Sequence, residues 1–186
     1  MSTRRIILLL ILGVVLAFGG YIAYTLATTR NHSPKSTAEF SKDGLEMSVV
    51  YCRPYKKGRL IFGSSADGAL QPYGEYWRMG ANEATQITIN QAVNFGGQEL
   101  AAGEYVVYAV PGESNWTIGL NSELGRWGAF EVDHELDIMQ VEVSSGTAAS
   151  EFEQFTIEFE EIDSATVHMN LMWDKTKVPV PIVRNS

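Results

Sequence analysis

The side chains best suited by type and spacing to do chemistry lie between residues 53 and 83: Arg53, Arg59, Trp77, Arg78, Asn82 and Glu83. They sit in the strings Tyr51-Cys52-Arg53-Pro54, Lys57-Gly58-Arg59, Ile61-Phe62-Gly63, Pro72-Tyr73-Gly74 and Trp77-Arg78-Met79-Gly80-Ala81-Asn82-Glu83. Guanidinium groups present a rigid fork of donors that suits carboxylate or phosphate. With Trp77 or Tyr73 as a stacking surface and Asn82 and Glu83 as hydrogen-bonding groups, the set would hold an anionic or sugar-like small molecule. The same residues have a structural reading, in which the arginines pair with Glu83 and neighbouring acids and fasten the long connection from Pro54 to Ala84. A catalytic reading, Glu83 as acid or base beside a stabilising arginine, has the least support, since a carboxylate next to Arg is at least as often a structural ion pair. No catalytic residue is assigned.

Other chemistries find little footing. No G-x-S-x-G, H-E-x-x-H, P-loop or G-x-G-x-x-G string occurs, which removes the easily recognised hydrolases, metalloproteases and nucleotide binders. Cys52 is the only cysteine, so neither C-x-x-C redox chemistry nor covalent haem attachment is available, and no cofactor is expected. His134, in Asp133-His134-Glu135-Leu136-Asp137, has no second histidine nearby; it reads as part of a solvated loop, and no metal is expected. Asn31-His32-Ser33 and Asn115-Trp116-Thr117 match the glycosylation sequon, which matters only in a host that modifies it.

Charge narrows the partners. Residues 1–35 carry Arg4, Arg5, Arg30 and Lys35 and no acid, leaving 10 bases against all 22 acids in the remainder. Phosphate neutralisation needs clustered Lys and Arg, so a nucleic-acid binder is excluded. Met79–Asp174 alone holds 17 acids and one base, Arg126. Such a surface keeps a sheet face solvated or receives a basic partner.

The elements that position these residues follow from hydropathy. Ile6–Ala27 runs for 22 residues without a charge; at ~1.5 Å per residue this spans ~33 Å, the length of a transmembrane helix. A cleaved signal peptide is the competing reading, and the run exceeds the ~7–15 residues usual for an h-region. Residues 1–5 then form a cytoplasmic stub in a bacterial inner membrane, with the following domain in the periplasm and Tyr21 and Tyr24 near the outer interface. Gly13, Ala17, Gly20, Tyr24 and Ala27 recur at spacings that place them on one helix stripe, where small residues permit close packing against another membrane helix. Residues 28–44 read as a polar linker.

From Leu45 to the C-terminus short runs of period two alternate with turn residues, with no long amphipathic helix between them. The runs are Met47–Arg53, Ala84–Asn90, Glu104–Val110, Asn115–Asn121, Asp137–Ser144, Phe152–Glu160, Thr166–Trp173 and one near Val178–Ile182. Pro111-Gly112-Glu113-Ser114 marks a hairpin. His168, Asn170 and Thr166 are expected outside, opposite a core face of Val167, Met169, Leu171 and Trp173. Pro179 and Pro181 place the last run at a sheet edge. The fold class is all-β, an antiparallel sandwich of jelly-roll-like character over residues 45–186, behind a single transmembrane helix.

YCRPYKKGRLIFG, PYGEYWRMGANEATQITI, AAGEYVVYAVP, W-x-I-G-L-N from Trp116 to Asn121, and LMWDKTKVPVPI together resemble the bacterial family called domain of unknown function 2911, over roughly Ser33 to Val183. The resemblance implies an exported, mostly β domain and brings no reaction, substrate or cofactor. This chain departs from the family at Cys52, where serine is expected, which argues against an essential thiol. With an anchor, a small-residue stripe and no catalytic set, the leading expectation is an accessory subunit that packs in the bilayer against other membrane proteins, such as those of a respiratory or photosynthetic assembly. The alternative is a tethered domain for an anionic or sugar-like ligand.

Overall fold

The computed structural model describes residues 3–128 and 130–185. The chain divides into two units, one ending at His32 and one beginning at Ser33. The first is a single helix, α1 (Thr3–His32), apolar enough over Thr3–Thr25 to cross a membrane. Those 23 residues span ~35 Å at the usual rise. The hydroxyls of Thr25 and Thr28 donate back to the carbonyls of Ile22 and Tyr24, at 2.8 and 2.9 Å, so neither meets an apolar medium unpaired. Gly13, Ala17, Gly20 and Tyr24 are exposed, and nothing fills the space a Cβ would take at Gly13 or Gly20. Ala27 belongs to α1, but its side chain lies outside the described residues.

The second unit is an antiparallel β-sandwich. One sheet has the order β1 (Lys35–Lys42), β2 (Leu45–Cys52), β5 (Thr85–Ile89), β8 (Gly103–Val110), β9 (Asn115–Asn121), β10 (Asp137–Ser144). The other has the order β11 (Gly146–Glu161), β12 (Thr166–Arg184), β6 (Val93–Phe95), β7 (Gln98–Leu100). A two-residue parallel pair, β3 (Phe62–Gly63) with β4 (Gln71–Pro72), folds the connection after β2. Alternation sets the faces: Leu45, Met47, Val49 and Tyr51 of β2 and Met139, Val141 and Val143 of β10 point inward to meet Phe155, Ile157, Met169, Leu171 and Trp173 from the facing sheet. Gly96, in the β6–β7 turn, lies so close to this interface that a Cβ there would come within 2.6 Å of Val141. Its φ of 58° also belongs to glycine.

Three expectations need correcting. Residues 28–44 are not a linker: α1 continues to His32 and β1 begins at Lys35, its half-buried positions alternating with exposed ones along the pairing with β2. The Ser/Thr content that suggested a loop is spread over the end of α1, the buried Ser33 and both faces of an edge strand, with Thr37 and Ser41 on the solvent side. Pro179 and Pro181 do not make an edge strand, since β12 is interior; they fall between Lys177, the last residue paired with β11, and Ile182, the first paired with β6. There no ladder bond is asked of their nitrogens, and Pro181 still accepts from Gly96 N at 2.8 Å. Asn170 is buried rather than outside, its amide donating to Glu160 at 2.7 Å beneath the Glu160–Lys177 pair.

Candidate functional site

The residues singled out by type divide into a core group and a fastening group. Trp77 is 2% exposed and is stitched to β8 by two backbone bonds with Ala109, at 2.7 and 2.8 Å. Its indole lies among Phe155, Phe62, Trp116 and Trp173, at centroid distances of 4.9, 5.4, 5.9 and 5.9 Å, with Trp173 stacked upon it. It fills the sandwich and offers no face to a ligand. The indole N–H groups of Trp77 and Trp173 have no hydrogen-bond partner among the described residues.

The three arginines do not gather at one place. Arg53 donates to the Phe155 carbonyl and the Thr156 hydroxyl, at 3.1 and 2.8 Å, joining the end of β2 to β11. Arg59 turns back on its own loop, to the carbonyls of Lys56 and Tyr55. Arg78 donates to the Gly128 carbonyl at 2.9 Å. Each guanidinium satisfies main-chain oxygens, where the sequence expectation was of carboxylate partners or a bound anion.

Beyond Trp77 the chain turns sharply, with Met79, Gly80 and Asn82 at φ of 52°, 142° and 59°. Gly80 is obligatory here, because a Cβ would stand 2.7 Å from the Cys52 carbonyl oxygen. The turn brings Asn82–Ala84 against Arg126–Gly128. Gly128 N donates to the Asn82 carbonyl at 2.9 Å, Ala84 N to the Arg126 carbonyl at 3.3 Å, and Glu83 pairs with Trp127 across an antiparallel bridge. The Asn82 amide donates to the Ser33 carbonyl at 3.3 Å, where the domain begins. Gly128 accepts no side chain, since its Cβ would lie 2.7 Å from Arg78 Cδ. The Trp-Arg-x-Gly-Ala-Asn-Glu string is thus a clamp on the connection between β9 and β10.

Beside the clamp, Cys52, Glu83, Lys35, Gln86 and Arg126 line a cavity of 170 Å³. Burial pushes the Cys52 thiol up, and the Glu83 carboxylate, which accepts from its Sγ at 3.4 Å, pushes it further. A thiol held protonated in this way is a poor nucleophile.

The clamped connection, Ser122–Leu136, is an Ω-loop whose ends close on each other: the Ser122 N–H and hydroxyl both donate to the Leu136 carbonyl at 3.1 Å. Arg126 braces it from within, donating to Glu123 and to the Glu131 carbonyl. Its Val132 packs with Val106 and Tyr108 of β8, Ala84 and Tyr76, so this loop covers the outer face of the six-stranded sheet. Below it lies the densest polar network of the described residues. The Tyr108 hydroxyl donates to Asp137 Oδ2 at 2.6 Å and accepts from Gln140 at 2.8 Å. His134 Nδ1 is 2.8 Å from the same carboxylate oxygen and its Nε2 is 3.0 Å from Glu131. Asn121 donates to Asp137 Oδ1 at 2.9 Å and to the Asp133 carbonyl. Glu131 and then Asp137 hold the His134 imidazole above its ordinary range. Burial raises Asp137, but its four donors outweigh that and keep the carboxyl low. Sequence reasoning missed this network because Tyr108 and Asn121 lie on strands far from His134 in the chain; the close spacing of Asp133, His134 and Asp137 was the only signal. Among the described residues no group of His, Cys, Asp and Glu is placed to hold a metal.

The same loop exposes large apolar side chains. Leu124, Trp127, Phe130 and Leu136 are exposed, Phe130 to 76%, as is Ile138 at the start of β10, and these are five of the nine large apolar side chains exposed among the described residues of the β unit. Glu131, Asp133 and Glu135 of the loop are exposed as well.

These features define a class: an antiparallel β-sandwich that follows an N-terminal apolar helix in the chain, with a clamped Ω-loop on the outer face of its six-stranded sheet. The profile of the family described as protein of unknown function DUF2911 matches residues 33–182, and the chain belongs to that family. Neither the curated proteins nor the solved structures contain a match.

Proposed function

We propose that this protein is a non-catalytic, single-pass accessory subunit, with its N-terminus in the cytoplasm and its sandwich in the periplasm, that docks on a larger complex of the bacterial inner membrane. The large apolar side chains that the Ω-loop exposes carry this reading. Exposed Leu124, Trp127 and Phe130, with exposed Glu131, Asp133 and Glu135 on the same loop, have the mixed composition of an interface, and the acids call for basic groups on the partner. The helix supports it independently, because Gly13, Ala17 and Gly20 leave an open stripe for a second membrane helix.

The test is gentle solubilisation of the full-length tagged protein from its native membrane, with mass analysis of the intact chain and of whatever accompanies it. A chain retaining residues 1–35 in stoichiometric association with other membrane proteins is expected. Trp127→Ala with Phe130→Ala should lose that association, as should Gly13→Leu with Gly20→Leu. A solitary chain, or association unchanged in both double variants, rejects the proposal.

A further inference from the structure

A second cavity, of 360 Å³, opens where the β8–β9 hairpin tip, the β10–β11 turn and the Lys175–Thr176 segment of β12 converge. Its size falls within the ~300–1,000 Å³ of small-molecule sites. The backbone makes this opening. Thr147 pairs with Thr176 but Phe152 with Asp174, so β11 advances five residues while β12 advances two, and the surplus bulges away. Lys56 pins the bulge by bonding both Glu151 and Asp174, and Asp174 adopts φ of 55° to turn the strand. The hairpin tip is fixed as well, since a Cβ on Gly112 would stand 2.2 Å from the Asn115 carbonyl oxygen.

The lining combines two chemistries. Its apolar part is aromatic: Tyr73, which is 38% exposed, and the half-buried Phe62, backed from within by Trp116 at 4.7 Å, itself buried and offering no open face. Its polar part is rich in hydroxyls, from Ser114, Thr147 and Thr176. Neither these hydroxyls, nor that of Tyr73, nor the Lys175 ammonium makes a side-chain hydrogen bond among the described residues. Lys175 and Glu113 add one charge of each sign.

This combination selects among ligands. An apolar molecule would strip water from the hydroxyls and return no hydrogen bonds. A phosphate or other small dianion would find one base opposed by an acid, with no helix N-terminus to help. A pyranose ring has apolar C–H faces for the aromatic side chains and a rim of hydroxyls that both donate and accept, matching serine and threonine group for group. We propose that this cavity binds a neutral sugar or closely similar polyol. The site is separate from the Arg–Trp string to which the sequence pointed, and from the Ω-loop.

The experiment uses the full-length protein in phosphatidylcholine nanodiscs, free of glycosidic detergent, titrated with glucose, galactose, mannose and N-acetylglucosamine while heat and tryptophan fluorescence are recorded. At least one sugar should saturate with a Kd of about 1 mM or tighter, and Tyr73→Ala and Thr176→Val should each weaken it about tenfold. Trp127→Ala, on the Ω-loop, should bind as the unaltered protein does. The proposal fails if none of the four sugars saturates, if inorganic phosphate saturates and no sugar does, or if binding survives Tyr73→Ala and Thr176→Val combined. Retained thermal unfolding of each variant shows that a lost signal is not a lost fold.

Discussion

Arg78 shows how a residue chosen for chemistry comes to serve position. Among the described residues its guanidinium reaches one acceptor, the Gly128 carbonyl, and its aliphatic stem lies where a Gly128 Cβ would be. Arg78→Ala removes that bond and its packing, so stability should fall by about 1–3 kcal/mol in denaturant titration, and the Trp127 emission should shift as its segment loosens. Gly128→Ala should cost a similar ~1–3 kcal/mol by overpacking the same spot. A bare ligand-binding arginine would leave stability unchanged, so the measurement separates the two roles. The string was legible as a constellation, because so many guanidinium and aromatic groups fall close together in an otherwise acidic chain. Its purpose was not, since Gly128 and Ser33, which it holds, are distant in sequence and carry no signal of their own. The Trp77 indole was misread for a related reason. Trp77 stands between charged and turn-forming residues with no period around it, and its two bonds to Ala109 reveal that the chain dips into the sandwich there.

Strands were the most legible elements, and loops the least. Asn115–Asn121 and Asp137–Ser144 were read to the residue, because one face of each is core and period two is unambiguous. The short β3, β4, β6 and β7 escaped notice, since two or three residues cannot display a period. The Ω-loop looked like a solvated acidic connection, yet its fastening depends on charge. The folded state holds His134 above the ordinary imidazole value of 6.5, so protonated His134 contributes stability that is complete below that value and is lost as pH rises through the raised one. Asp137 is held below 3.8, so its contribution is present above that value and is lost as pH falls through the depressed one. The network is therefore most secure in mildly acidic solution. Amide hydrogen exchange of residues 130–137 should quicken as pH rises from about 6 to about 9 beyond the intrinsic base-catalysed increase, and His134→Gln should abolish the excess. Equal excess in both proteins would show that the imidazole does not secure the loop.

At the scale of the whole molecule, only Ser33 and Pro34 separate the last residue of α1 from the first of β1, and both are tied into the sandwich: Ser33 accepts from Asn82 at 3.3 Å and Pro34 from Arg53 N at 2.9 Å. The fragment 33–186 keeps both bonds and the 33–182 span that the family shares, and it should fold alone. The fragment 36–186 loses the Ser33 and Pro34 carbonyls to which the buried Asn82 amide and the Arg53 N–H donate, and its Tm should lie about 3–10 °C lower. Folding and docking then part company. If helix stripe and Ω-loop engage one complex, each makes the other's binding effectively intramolecular, and such linkage raises avidity about 10²–10⁴-fold over either contact alone. Fragment 33–186 should therefore bind the isolated complex through Trp127 and Phe130, but about 10²–10⁴-fold more weakly than the full chain in nanodiscs. Equal affinity would reduce α1 to a tether with no partner helix. Absence of binding by the folded fragment, even where the full chain is saturated about 10⁴-fold, would remove the Ω-loop from the interface and leave the helix as the sole point of attachment.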